Sequence, residues 1–283
     1  MAAFPLTEAA EALAMASAML GARPILVASD FDGTLAHLSS DPWGARILPA
    51  ARRAMRRLAV APGTHVAFIS GRTVADLAAR ARVGGADYLG NHGMERGWLP
   101  RGGHAERMTS TTWSTSDRDA QVASRLADAV PRLVPEAWLI VERKIPAVAF
   151  HFRTAPDVAA AASRVGAAVE RLDPERVLVR YPGRRALELR PVGAPAKGEA
   201  MAALLDELRP RVAFMLGDDR HDAGAFDVLR AARVAGTLSG LAIAVAAHPD
   251  SLSEVAPRAD IVLSSPVEAA RFLAGLADRL KAS

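Results

Sequence analysis

Asp30 and Asp32 stand one residue apart in Ile25-Leu26-Val27-Ala28-Ser29-Asp30-Phe31-Asp32-Gly33-Thr34-Leu35. The apolar run before them has the length of a buried parallel strand. At the C-terminal end of such a strand an open α/β sheet forms its crevice. Two carboxylates gathered at that edge are costly unless positive charge joins them. A metal ion together with a phosphate accounts for both. A capped loop or turn is the alternative, since Asp, Gly and Thr all favour such positions.

Three further loops offer matching groups. In Ser70-Gly71-Arg72, a hydroxyl and a backbone N–H at a helix start can hold a phosphate oxygen; a plain Ser N-cap is the alternative. Lys197, in Pro195-Ala196-Lys197-Gly198-Glu199, opens a helix, where a cation opposes the helix dipole. A bound anion would remove that conflict; a solvated lysine is the alternative. Lysine occurs only at Lys144, Lys197 and Lys281. In a chain that otherwise uses arginine, an internal lysine marks a place that needs a compact ammonium. Gly217-Asp218-Asp219-Arg220-His221-Asp222 sets three acids within five residues after an apolar run. An acid-rich helix start explains one such Asp better than three. A hard cation that keeps several waters and touches a substrate phosphate behaves as Mg²⁺ does.

The elements that must position these groups follow from the apolar rhythm. Strands are expected at 25–29, 65–69, 88–89, 212–216, 241–246 and 260–263, with helices at about 49–60, 73–82 and 195–208 between them. That alternation reads as βαβ units and a parallel sheet. Each chemical loop is expected to follow an apolar strand and so to lie at one sheet edge. Between them the rhythm changes. Residues 100–116 read as a connection, followed by a helix near 117–130, strands at 138–143 and 147–153, a helix near 156–171, and strands at 176–181 and 185–190. Paired strands with short turns imply an antiparallel sheet backed by two helices. The expected division is therefore a core from 1–107 and 191–283, interrupted by an inserted domain over 108–190.

The 283 residues, 51% of them hydrophobic, suffice for one large or two modest domains. Cysteine is absent, which excludes a disulfide framework and a thiolate metal site. The formal charge is only +4. The densest basic cluster, Arg52, Arg53, Arg56 and Arg57, has the spacing of a solvated helix face, so no nucleic-acid partner is expected. No apolar run is long enough to cross a membrane. The apolar piece 4–20 carries Glu8 and Glu11 and lacks a basic start, so no secretory signal is expected. These features give the expectation of a cytoplasmic protein, and with no extended apolar heptad or added domain a monomer is the default.

The ordered set DxDGT, Ser, Lys and GDD resembles the haloacid-dehalogenase-like (HAD) phosphatases, and the insertion between the Ser and Lys loops is similar to the larger cap domain of that superfamily. The resemblance implies an α/β fold with a HAD-like doubly wound parallel-sheet core and an inserted α+β cap, an antiparallel sheet plus two helices. It implies that Asp30 is a nucleophile and Asp32 a general acid/base, with Ser70 and Lys197 on the phosphate oxygens. Mg²⁺ would be held by Asp30, Asp218 and the backbone carbonyl of Asp32, with Asp219 and Asp222 positioning its waters or the lysine.

Within that superfamily, several segments resemble the trehalose-6-phosphate phosphatase family. They are Gly90-Asn91-His92-Gly93-Met94-Glu95, Val141-Glu142-Arg143-Lys144-Ile145 through His151-Phe152-Arg153, Leu187-Glu188-Leu189-Arg190-Pro191 leading to Lys197, and Gly217-Asp218-Asp219 through Asp222 and Phe226. The resemblance runs from about residue 25 to 230. It implies substrate binding by Gly71, Arg72, Asn91, His92, Glu142, Lys144, His151, Arg153, Glu188 and Arg190. Glu142 and Lys144 share one face of a strand, as His151 and Arg153 are expected to on its neighbour; a cross-strand salt-bridge ladder is the other reading. Two departures are visible. His221 stands where the family has threonine, followed by Ala223 and Gly224 in place of acids, and the 191–197 segment carries an added proline. Another disaccharide or pseudo-disaccharide phosphate (a trehalose mimic or sucrose phosphate) therefore remains an alternative substrate, and a non-catalytic sugar-phosphate sensor an alternative function.

Overall fold

The computed structural model describes residues 4–39, 41, 43–144, 146–183, 185–248 and 253–282; Ile145 lies outside them. The chain divides into two units, one of residues 1–38, 45–112 and 195–283, the other of residues 39–44 and 113–194.

In the first unit, the run Ile25-Leu26-Val27-Ala28-Ser29 forms β1 (Ile25–Ser29), buried at every position. It lies between β10 (Val212–Gly217) and β2 (Thr64–Ile69), parallel to both. Ile25 and Val27 enter one apolar layer, and Leu26 and Ala28 the other. A strand covered on both faces needs apolar residues at every position, which is why this segment reads as a continuous run. The sheet continues through β3 (Ala86–Gly90) on one side, and β11 (Ser239–Val245) and β12 (Ile261–Leu263) on the other, all parallel. The order is β12-β11-β10-β1-β2-β3-β4-β5. The last two strands, β4 (Glu95–Leu99) and β5 (Ser110–Thr112), are antiparallel additions. β5 falls in the stretch read from sequence as a connection; its three exposed residues carry no apolar signal. Because β5 pairs with β4, residues 108–112 stay with the first unit.

One layer over this sheet holds α1 (Ala9–Ser17), α2 (Pro49–Val60), α3 (Val74–Ala81) and α8 (Pro266–Ala282). The other holds α6 (Lys197–Leu208) and α7 (Arg220–Val234). α2 buries Ala51, Ala54, Met55, Leu58 and Ala59, and turns Arg53, Arg56 and Arg57 to solvent, as a helix period of 3.6 dictates.

In the second unit, β6 (Ile140–Lys144), β7 (Ala147–His151), β8 (Leu178–Pro182) and β9 (Ala186–Pro191) form an antiparallel sheet in the order β6-β7-β9-β8. Val148, Phe150, Leu187 and Leu189 pack with α4 (Asp117–Leu133) and α5 (Val158–Leu172). Strand alternation therefore sends Glu142, Lys144, His151, Glu188 and Arg190 to the opposite face.

Candidate active site

Asp30 follows β1 directly and donates its backbone N–H to the Leu216 carbonyl at 2.9 Å. Its side chain is buried. Lys197 Nζ donates to Asp30 Oδ1 at 2.6 Å and to Asp222 Oδ1 at 2.7 Å. The Thr34 hydroxyl donates to Asp30 Oδ2 at 3.4 Å. Asp222 Oδ2 accepts the backbone N–H groups of Asp218 and Asp219 at 3.0 and 3.2 Å. Lys197 does not arrive at the end of a core strand, as the sequence suggested. It is the first residue of α6, reached directly after β9 of the second unit and the 192–196 connection. A long side chain from a helix start brings its ammonium to the strand ends.

Oxygens of Asp30, Asp218 and Asp222 lie within 4.8 Å of one another, all three residues buried. Burial and the neighbouring carboxylates push Asp218 well above the ordinary carboxylate range. Asp222 moves the same way, chiefly through burial and against Lys197. Burial also raises Asp30 to about 6, although Lys197 pulls it down. Lys197 is held well above its ordinary value: burial disfavours its charge, but Asp222 and Asp30 outweigh that. Three buried carboxylates thus face one ammonium, a deficit of positive charge that a divalent cation would fill. Both Asp222 oxygens are occupied by donors, whereas the Asp218 carboxylate receives no hydrogen bond among the described residues. Asp30 and Asp218 are therefore the better ligands. Gly33 permits this approach: at φ +79°, a Cβ there would fall 2.2 Å from Asp218 Oδ2.

Asp32 is more exposed, at 33% of its side chain. Both its oxygens accept from Arg72, Nε at 2.6 Å and Nη2 at 2.8 Å. Arg72 Nη1 donates to Asp76 Oδ2 at 2.7 Å, and Asp76 also accepts from Arg80. Arg72, expected on the substrate, is thus bound to the candidate acid/base. Sequence reasoning missed Asp76, although its spacing of four from both Arg72 and Arg80 was the available signal.

Ser70 is buried, and its Oγ accepts the Arg72 backbone N–H at 3.3 Å. The Asn91 and His92 backbone N–H groups donate to the Arg72 and Ser70 carbonyls at 2.7 and 2.9 Å. Asn91 and His92 have left-handed backbones, φ 47° and 61°. Glu95 accepts from Asn91 Nδ2 and from the Val74 backbone, joining the turn to the start of α3. The 91–93 turn therefore buttresses the 70–72 loop, with Gly71 between. Asp219 caps α7, accepting the His221 backbone N–H.

The polar face of the second sheet forms another group. Lys144 lies between Glu142 at 3.5 Å and Glu188 at 3.6 Å. His151 Nε2 lies 2.8 Å from Glu142 Oε2. Glu142, Lys144 and His151 are buried. Burial works against the Glu142 charge, but Lys144 and the His151 hydrogen bond hold it below its ordinary value. Arg190 stacks on Tyr181, its guanidinium carbon 3.7 Å from the ring centroid. Arg190 is 1% exposed, and its Nε and Nη1 have no hydrogen-bond partner among the described residues. Arg153 does not share the strand face of His151. β7 ends at His151, and Arg153 sits in the following turn, where Nη1 donates to the Ser39 carbonyl at 2.6 Å. Tyr181 had no sequence signal, because only strand register sets it beside Arg190.

A parallel sheet that gathers Asp30, Asp218, Asp222 and Lys197 beyond its strand ends, and is interrupted by an α+β insertion, has the HAD-like architecture. The chain belongs to the trehalose-phosphatase family, whose sequence profile matches residues 28–260. It is 35% identical to a trehalose-phosphate phosphatase of Mycobacterium avium over 286 residues, covering 98% of this chain and 68% of that protein. It is also 35% identical, over 92% of its length, to an uncharacterized glycosyl hydrolase of Mycobacterium tuberculosis, of which it spans 18%. In three dimensions it resembles the C-terminal domain of Candida albicans trehalose-6-phosphate phosphatase, with a TM-score of 0.76, 21% identity, and coverage of 98% of this chain and 99% of that one. Among the described residues no helix is long and apolar enough to cross a membrane.

Proposed function

We propose that this chain hydrolyses trehalose 6-phosphate to trehalose and phosphate, using Mg²⁺ and an aspartyl-phosphate on Asp30. The observation that carries the reading is the Asp30 carboxylate beyond β1, fixed by Lys197 at 2.6 Å beside the buried acids Asp218 and Asp222. An Asp30 oxygen attacks phosphorus, and the bond from phosphorus to the sugar oxygen breaks. Asp32 gives its proton to that leaving oxygen. Water then attacks the aspartyl-phosphate phosphorus and returns a proton to Asp32; the bond to Asp30 breaks and phosphate leaves. Lys197 and Ser70 stabilise the phosphoryl oxygens. Arg72 keeps Asp32 in place until substrate arrives. Asp30, Asp218 and the Asp32 carbonyl would hold Mg²⁺, which when bound neutralises and orients the phosphate.

Recognition of the sugar falls to the second unit. A disaccharide offers many hydroxyls and little apolar surface. Glu142 and Glu188 supply acceptors there. The Arg190 Nε and Nη1 groups, buried without a partner among the described residues, support a site completed by ligand oxygens, since such donors are costly when unpaired. Gly71, Asn91 and His92 remain assigned to the phosphate loop, and Arg153 to the sugar-binding unit.

The test is phosphate release from trehalose 6-phosphate with Mg²⁺ and with EDTA, beside glucose 6-phosphate, sucrose 6-phosphate and a pseudo-disaccharide phosphate. Selective release from trehalose 6-phosphate supports the whole reading. Preference for another disaccharide phosphate would keep the chemistry and replace the substrate. No release from any of them would favour a sugar-phosphate sensor.

A further inference from the structure

We propose that His221 is a positioning residue that latches Asp219 and ties the acidic loop to the phosphate-binding loop. The inference rests on the assignment of those two loops above. An N-cap aspartate uses one carboxylate oxygen for its helix. Asp219 Oδ1 does this, accepting the His221 backbone N–H at 2.9 Å. Its second oxygen would otherwise be free to turn. Here Oδ2 lies 3.0 Å from His221 Nδ1. An ionised carboxylate only accepts, so Nδ1 is the donor. One residue therefore holds both Asp219 oxygens.

The same ring reaches the other loop. The His221 and His92 ring centroids are 5.1 Å apart, tilted by 44°. His92 donates its backbone N–H to the Ser70 carbonyl at 2.9 Å. A Cβ on Gly71 would fall 2.8 Å from His92 Nε2, so that ring lies against the loop itself. The contacts run from Asp219 through His221 and His92 to Ser70 and Gly71, all within one unit. The threonine that the family resemblance places at 221 has no ring to pack on His92. The imidazole thus performs two separable tasks: the Nδ1 bond fixes Asp219 beside the cation-binding acids, and the ring face fixes His92 beneath the phosphate loop.

Two substitutions separate them. His221→Asn keeps a donor near Nδ1 and removes the ring; His221→Phe keeps a ring and removes the donor. Mg²⁺ is titrated into substrate-free protein by calorimetry, and KM and kcat for trehalose 6-phosphate are measured in parallel. His221→Phe is expected to weaken Mg²⁺ binding about tenfold, the usual effect of losing an outer partner of a metal site. His221→Asn should bind Mg²⁺ within about twofold of wild type, while raising KM severalfold. His221→Leu repeats the donorless test should His221→Phe not fold. Equal Mg²⁺ affinity in all variants, with wild-type binding intact, overturns the latch alone. Wild-type protein that binds no Mg²⁺ overturns the cation-site reading and the inference with it.

Discussion

Each unit holds a buried lysine between two carboxylates, yet the two arrangements differ. Lys197 makes direct hydrogen bonds to Asp30 and Asp222, at 2.6 and 2.7 Å. Lys144 stands off from Glu142 and Glu188 at 3.5 and 3.6 Å. The first group has acids in excess, with Asp218 added to Asp30 and Asp222 around the one ammonium of Lys197. The second comes closer to balance, with His151 on Glu142 and Arg190 nearby on the same face. Tight geometry with surplus negative charge suits a cation and a reaction. Looser, nearly balanced geometry suits, under the proposed function, an exchange of hydrogen bonds with a polyhydroxyl ligand. Both sites use the only internal lysines of an arginine-rich chain. A compact ammonium fits between two carboxylates where a planar guanidinium does not.

The sharpest way to break this contrast is Asp30→Asn. It should lower turnover by about 10³-fold or more, as loss of a covalent nucleophile does, with the melting temperature retained; near-normal phosphate release would remove Asp30 from the mechanism. Next comes Lys197→Arg, expected to reduce kcat by about 10²-fold. Lys144→Arg should spare hydrolysis of p-nitrophenyl phosphate and act on the disaccharide phosphate alone. If both arginine variants behave alike on both substrates, the division of labour is wrong. EDTA should abolish activity and Mg²⁺ restore it, in wild type and in Glu188→Gln equally. Glu188→Gln should raise KM for trehalose 6-phosphate by about tenfold, the loss of one hydrogen bond to a charged group. An unchanged KM would return Glu188 to a purely structural salt bridge.

The smallest expected effect is on stability. Burial opposes the Glu142 charge, but Lys144 and the His151 hydrogen bond hold its carboxyl below the ordinary 4.5. A depressed carboxyl stabilises the fold above its unfolded value, and that contribution is lost as pH falls through the lower folded value. The stability advantage of wild type over Glu142→Gln, about 1.5–3 kcal/mol for a hydrogen bond to a charged group, should therefore be full at pH 6 and shrink below pH 4.5. An advantage that does not change with pH would mean that packing, and not charge, distinguishes the two.

Much of the candidate site was legible beforehand. The apolar run ending in Asp30 and Asp32 reads as a buried strand because both its faces are covered, and acids placed at its end can only sit at a sheet edge. The rarity of lysine singled out Lys144 and Lys197, both now found buried between acids. The strand face shared by Glu142 and Lys144 follows from a period of two, whereas Arg153 escaped that rule because β7 stops two residues earlier. β5 was invisible because three exposed polar residues pair only through their backbone.

The sequence alone determined the types and order of the candidate site groups and the alternation that builds each sheet, since these depend on local periodicity and side-chain chemistry. Tertiary structure decided which groups meet. The approach of Lys197 to Asp30 spans 167 residues, and that of Arg72 to Asp32 spans 40. His221 meets His92, and Arg190 meets Tyr181, through packing and register. Such pairings depend on how distant segments pack in three dimensions, and no local pattern records them.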